Sequence, residues 1–284
     1  MKTASSFISE HKKIIACAAA LALGISITHY MMSDDATHDV YPKLIALNES
    51  QANPSTVFLF AHGIDPRASV ANTQPQRYIT CGAINSTCYT FSFHDRIGTL
   101  NFGQDHDNAL LYNAYQEVQH KHPQANIVLI GISRGASAII NTLATYKELD
   151  ITKLKAVILE SPYMSVDSLL EHIAKSYLSY VPYATSMLHT LINVFPLYNT
   201  HGLQTIDALP HFPQQVPVFI GYSMADKTVA PGDAQVAVKL LRAQGNLVTE
   251  YAATHGRHST LATQHDYCNA VRLFLANIFS HDKK

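Results

Sequence analysis

Charge of one sign is what this chain has least of. Its 284 residues carry 20 Lys and Arg against 21 Asp and Glu, a formal net charge of −1. No basic stripe runs along it, which argues against nucleic acid as a partner. Metal-ligand spacing is missing too. His94-Asp95 and His106-Asp107 are adjacent pairs, but they match no zinc or calcium pattern and read as a polar loop leading into a helix. Cysteine is sparse, with four residues to place. Cys17 lies in an apolar run and Cys268 in a late helical stretch. Cys81 and Cys88, the ends of "CGAINSTC", are either a disulfide closing a short loop, if the domain lies outside the cytoplasm, or two buried thiols. Spacing alone does not give the Cα separation that a disulfide demands.

Apolar residues, in contrast, make up 47% of the chain, enough for a sizeable core and best suited to one α/β domain. The N-terminus is a different material. Lys12-Lys13 precede "IIACAAALALGISITHYMM", residues 14–32, without a formal charge if His29 is neutral. About twenty apolar residues span a bilayer, and the basic pair favours keeping residues 1–13 in the cytoplasm, with the main domain extracytoplasmic. A cleaved signal peptide, giving a secreted or periplasmic protein, is the rival expectation. Its small-x-small site, Ala20-Leu21-Ala22, falls early in the run, and Cys17 stands too near Lys13 for a lipoprotein site. Asp34 and Asp35 argue against a buried core helix.

Residues 33–54 read as a linker with one short strand near Leu44. From residue 55 to 284 the chain alternates. "TVFLFAH" (56–62), "CYTFSF" (88–93), "NIVLIGI" (126–132), "KAVILE" (155–160), "VPVFIGY" (216–222) and "LVTEYA" (247–252) have the length and residue types of strands. Residues 104–121, 134–147, 233–244 and 264–279 have helical periodicity; in the third, Val236, Ala237, Leu240 and Leu241 form the apolar face. Continuous apolar strands separated by helices predict a mostly parallel sheet with helices on both faces. Between about 163 and 215 there is no strand signal. An apolar, Tyr-rich helical insertion of this length predicts a cap over the carboxyl edge of the sheet, where open α/β sheets bind ligands.

The stretch "IVLIGISRGASAII" (127–140) passes from strand to helix around one hydroxyl. So abrupt a turn is strained and exposes its apex. Gly131 and Gly135 flank Ser133 because side chains there would collide. The following helix aims its first N–H groups and positive dipole end at developing negative charge. Serine is a nucleophile only when a base takes its proton and a third group orients that base. In a strand–G-x-S-x-G–helix architecture the order is Ser, acid, His. Asp226, in "SMADKTVAP", comes 93 residues after Ser133, and "YAATHGRHSTL" then offers His255 and His258, 29 and 32 residues further on.

With these pieces the chain resembles the α/β-hydrolase superfamily over about residues 56–279. It is most similar to a branch of small-cap acyl hydrolases and serine-aminopeptidase-like enzymes that includes protein depalmitoylases. The resembling segments are "LFAHGID", "LIGISRGAS", "ILESPYMSVDSLL", "VPVFIGYSMADKTVAP" and "GRHS", with Phe274 downstream. The resemblance favours His258 over His255, because the branch's histidine follows a Gly-x pair. It implies an oxyanion hole built from the backbone N–H of Arg134 and that of Ile64, with Gly63 giving room to turn and His62 serving the turn. Arg134 departs from the commonest pattern; its side chain reaches either an anionic substrate group or a nearby acid. Glu160, at a strand end, is the alternative to Asp226.

The expectation is a membrane-anchored serine hydrolase that cleaves a carboxylic ester or thioester through an acyl-enzyme, without cofactor or metal. Tyr177, Tyr180, Tyr183, Leu188 and Phe195 in the cap suggest a hydrophobic, small-molecule or lipid-like acyl substrate. A peptidase or amidase of the same fold, or an inactive extracytoplasmic binding domain, are the alternatives.

Overall fold

The computed structural model describes residues 43–47, 53–64, 86–93, 100–194, 198–199 and 202–281. Residues 14–32, Cys81, His94-Asp95 and Phe195 lie outside these. Among the described residues no helix is long and apolar enough to cross a membrane.

The strands are β1 (Ile45–Ala46), β2 (Thr56–Ala61), β3 (Ser86–Thr90), β4 (Leu100–Asn101), β5 (Asn126–Ile132), β6 (Leu154–Glu160), β7 (Tyr198–Asn199), β8 (Val218–Ser223) and β9 (Val248–Ala253). The described helices, numbered in chain order, are α1 (Asp105–Lys121), α2 (Arg134–Thr145), α3 (Val166–Tyr177), α4 (Ala184–Val194), α5 (Thr205–Ala208), α6 (Pro231–Ala243) and α7 (His265–His281). Seven strands form one sheet in the order β1-β3-β2-β5-β6-β8-β9. β1 is antiparallel to β3, and every other neighbouring pair is parallel.

Both faces are covered, which is why the strands read as unbroken apolar runs. Val57, Leu59 and Ala61 of β2 face a core shared with α1, α2 and α6. Phe58 and Phe60, one residue out of phase, face the core beneath α7. The same alternation splits β5: Ile127 and Leu129 go one way, Val128 and Ile130 the other. Because the central strands are parallel, their carboxyl ends share one edge, and every loop discussed below rises from it.

Two expectations are corrected. α6 begins at Pro231, a residue suited to a helix's first turn, and buries Ala234, Ala237, Val238 and Leu241. Val236 is exposed, so the apolar face is rotated from the one read in the sequence. The two-residue parallel pair β4–β7, joining Leu100 to Tyr198 and Asn101 to Asn199, is too short for a periodic signal.

Apart from β7, the regular structure among the described residues of the insertion is helical. α3 starts with a reciprocal cap between Ser165 and Ser168, a motif that satisfies two donors at the helix start. It packs on α4 through Ala174, Ala184 and Leu188. Tyr177, Tyr180 and Tyr183 are exposed, at 52%, 73% and 84%. Apolar packing next to the site comes from other residues.

Candidate active site

Ser133 sits between the last residue of β5 and the first of α2 with φ 54° and ψ −116°. A non-glycine residue held there stores on the order of 1–3 kcal/mol and persists only where its surroundings over-determine it. They do. Ser133 N–H donates to Glu160 O at 2.7 Å, and Ser133 O accepts from Ser137 N–H at 3.0 Å. A Cβ on Gly131 would lie 2.6 Å from Gly135 O and 2.7 Å from Ala136 Cα. A Cβ on Gly135 would lie 2.0 Å from Ala61 O. The first glycine thus makes room for the second, as the sequence suggests. The second makes room for the end of β2, a neighbour that no local reading supplies.

The loops after β8 and β9 bring Asp226 and His258 together. His258 Nδ1 lies 2.8 Å from Asp226 Oδ2. Asp226 Oδ1 accepts N–H bonds from Thr228 at 2.8 Å and Val229 at 3.0 Å. Burial opposes the charged carboxylate and is the largest single influence on it. The hydrogen bond and charge of His258, with the N–H groups of Thr228 and Val229, together outweigh burial and hold Asp226 below the ordinary aspartate range. Ser133 Oγ and the His258 ring are not hydrogen-bonded to each other among the described residues; such contacts are commonly long without substrate and tighten when it binds.

The alternatives separate clearly. His255 is exposed and bonded to Thr254 Oγ1 at 2.8 Å. Glu160 Oε1 accepts from Leu261 N–H at 3.2 Å, bracing the turn that follows His258. The Arg134 side chain pairs with an acid. Its Nε and Nη2 donate to Asp107 Oδ2 and Oδ1, both at 2.7 Å, in a fully buried bidentate pair. Asp107 is thereby committed to Arg134. Cys88 is buried in β3, and burial pushes its thiol up to about 12; its prospective partner Cys81 lies outside the described residues.

Three neighbours escaped sequence reasoning. Ser161 Oγ donates to Asp226 Oδ2 at 3.3 Å, and His172 of α3 donates through Nε2 to Asp226 O at 2.9 Å; no local signal marks either. Asp107 did leave one. It shares the face of Leu110, Leu111 and Ala114 on α1, and an acid on an apolar face needs a buried partner.

The turn Gly63-Ile64 stands beside the elbow: a Cβ on Gly63 would meet Ser133 Cβ at 3.5 Å. Ile64 packs against a cluster containing Val229 together with Leu169 of α3 and Ile192 of α4.

A nucleophile elbow over a parallel sheet, with a His–Asp pair on the following loops, invites comparison with solved structures. An esterase from Pyrococcus furiosus, Pf2001, superposes with a TM-score of 0.61 at 14% identity, covering 84% of this chain and 91% of that one. XC6422 from Xanthomonas campestris, described as an α/β serine hydrolase without lid, gives 0.52 at 13% identity over 86% and 97%. The fold is that of the α/β-hydrolases. An esterase from Pyrobaculum calidifontis repeats the match to this hydrolase fold, with a TM-score of 0.57 at 12% identity and 90% of each chain covered. By sequence, no family model and no curated protein matches.

Proposed function

We propose that the chain is a serine hydrolase that cleaves a carboxylic ester or thioester of a hydrophobic acyl group. The observation that carries this reading is the strained Ser133, at φ 54° on the same sheet edge as the His258–Asp226 pair. The solved structures with this fold include esterases, which supports an ester over an amide.

In the proposed reaction Ser133 Oγ attacks the acyl carbon and its proton passes to His258 Nε2. Asp226 holds Nδ1–H and stabilises the imidazolium. The carbonyl oxygen takes the displaced electron pair and is met by the N–H groups of Arg134 and Ile64. Collapse expels the alcohol or thiol, which leaves with the proton from His258. Water then attacks the acyl-enzyme, giving a proton to His258, and the carboxylic acid departs as Ser133 Oγ recovers its proton. The apolar cluster joining Ile64 and Val229 to the cap supports an acyl group that prefers a hydrophobic wall.

A fluorophosphonate probe tests the nucleophile. Labelling of the wild type that is absent from Ser133→Ala and His258→Ala, and retained in His255→Ala, supports the assignment; unlabelled wild type overturns it. A panel of short- and long-chain p-nitrophenyl esters against aminoacyl amides reads the substrate class, and faster amide turnover would overturn the ester reading. The proposal includes an anchor at residues 14–32, supported by that run's apolarity and by Lys12-Lys13 before it. Retention of the intact chain in membranes after alkaline extraction checks this; a shortened soluble chain would point to signal cleavage.

A further inference from the structure

We propose that the turn joining α3 to α4 rests its tyrosines in the headgroup layer of a lipid bilayer, so that the sheet edge carrying Ser133 faces the membrane. This builds on the serine-hydrolase reading and its anchor. Leu178 and Val181 pack beneath the turn against Ala174, Ala184 and Leu188, whereas Tyr177, Tyr180 and Tyr183 are all exposed. From residue 176 to 188 the sequence carries no charged side chain. A contiguous exposed group of this kind marks an interaction surface. Tyr183 is also held at φ 60°, an outlier for so bulky a residue, while its carbonyl accepts from Met187 N–H at 2.9 Å as α4 begins. The ring is thus presented outward at a cost in backbone strain.

The turn is fixed relative to the site. Ser168 Oγ and Met164 N–H donate to Asp233 Oδ2, in the first turn of α6, at 2.7 and 3.0 Å. Further along α3, His172 donates to the backbone oxygen of Asp226 at 2.9 Å. Tyr177 ends the same helix, about 7 Å beyond His172 along its axis.

Two observations favour a bilayer as the occupant. Tyrosine joins an apolar ring to a polar hydroxyl, which suits the boundary between hydrocarbon and water. The other is the place where the chain enters the domain. β1 runs antiparallel to β3, with Ile45 opposite Thr90. Thr90 ends β3, and the parallel pairing of β3 with β2 puts that end at the carboxyl edge of the sheet. The chain therefore arrives at the edge that bears Ser133, Asp226 and His258. Only residues 33–42 separate Lys43 from the apolar run at 14–32, a length that reaches at most about 40 Å. An anchor in that run keeps the catalytic edge close to the bilayer and the opposite edge farther off. Acyl substrates then come from lipid, not from water.

The chain contains no tryptophan, so one introduced indole reports on one position. Tyr180→Trp places it on the turn. Leu247→Trp places it on an equally open residue just before β9, at the opposite edge of the sheet. The full chain is reconstituted in vesicles of phosphatidylcholine brominated near the top of its acyl chains. Tyr180→Trp should lose about half of its emission, because an aromatic ring at headgroup level lies within reach of the bromines. Leu247→Trp should keep its emission. Equal quenching of the two, or none at Tyr180→Trp, overturns the inference. Emission from Tyr180→Trp that changes with protein concentration but not with lipid reports a second copy on the turn and also overturns it.

Activity gives the second readout. Tyr177→Ser, Tyr180→Ser and Tyr183→Asn together should slow hydrolysis of a long-chain ester carried in the vesicles about tenfold, the scale of lost orientation, and leave p-nitrophenyl butyrate in solution within about twofold. Equal losses on both esters mean a structural role for the turn and overturn the inference. Quenching at Tyr180→Trp in a chain that hydrolyses no ester would sink the serine-hydrolase reading and leave the docking surface standing. Quenching in a shortened, soluble chain on addition of vesicles would remove the anchor alone.

Discussion

Ser133 hangs from Glu160: the serine N–H donates to the glutamate carbonyl across 2.7 Å, so the apex of the elbow is tied to the end of the neighbouring strand β6. That bond, with the close approach of β2 to Gly135, holds a backbone conformation that serine avoids when free. Ser133→Gly should relax it. The expected result is a gain of about 1–2 kcal/mol in stability, from the strain released, with complete loss of ester hydrolysis. A urea denaturation midpoint that rises at unchanged slope checks the first part.

Asp226→Asn tests the acid. An amide at this position can donate toward His258 Nδ1 and favours the wrong tautomer, and the expected fall in kcat is about ten-thousandfold, by analogy with other triads. The pH dependence of stability should change with it. Asp226 in the folded chain titrates below its ordinary range, so its contribution is complete above the unfolded value of about 3.9 and disappears as pH falls through the folded value. Asp226→Asn should flatten that acid-side loss, measured by thermal unfolding between neutral and strongly acidic pH.

The pair Arg134–Asp107 is buried at 1% and 0% side-chain exposure. Asp107→Ala strands a guanidinium away from water, with an expected loss of about 3–5 kcal/mol. The double substitution Arg134→Met with Asp107→Leu removes both charges and should recover part of that stability, since apolar replacements of buried ion pairs are often neutral or better, while the Gly103 N–H loses its Asp107 acceptor at a cost of about 1–3 kcal/mol. Denaturant titration of the wild type and the two variants checks both expectations.

Gly135 and Gly232 should respond oppositely to alanine. A Cβ at Gly135 would lie 2.0 Å from Ala61 O, a backbone atom that cannot swing aside, whereas at Gly232 nothing lies within 4 Å. Gly135→Ala is expected to lower the melting temperature sharply and to abolish activity by forcing β2 and α2 apart. Gly232→Ala, in the first turn of α6, should leave activity unchanged and stabilise by up to about 1 kcal/mol, since alanine has the better helix propensity and the less flexible unfolded chain.

Much of this architecture was legible because its causes are local. The strand "NIVLIGI" was read to the residue, since a doubly covered strand must be apolar throughout and β-branching marks it. The elbow was legible because glycine at −2 and +2 of a serine, between a strand and a helix, has few other physical reasons. Resemblance alone favoured His258 over His255; in the structure the His258 ring reaches Asp226 and His255 is exposed. That about residues 163–215 carry helices inserted between two strands of the sheet was legible from length and composition. The inner residues of that insertion were not, because an exposed tyrosine and a buried one look alike in a sequence, and Tyr177, Tyr180 and Tyr183 turned out to be exposed.

By itself, the order of residues determined the parallel sheet, the site of the strained turn and the short list of groups able to serve it, since periodicity and glycine placement act within a few positions. Only the folded chain decided that Arg134 faces Asp107, that Glu160 supports the elbow and the Leu261 turn, and that β1 enters from the carboxyl edge of the sheet. Those outcomes depend on directions and separations between segments up to about a hundred residues apart, and such vectors are set by how layers pack on the sheet.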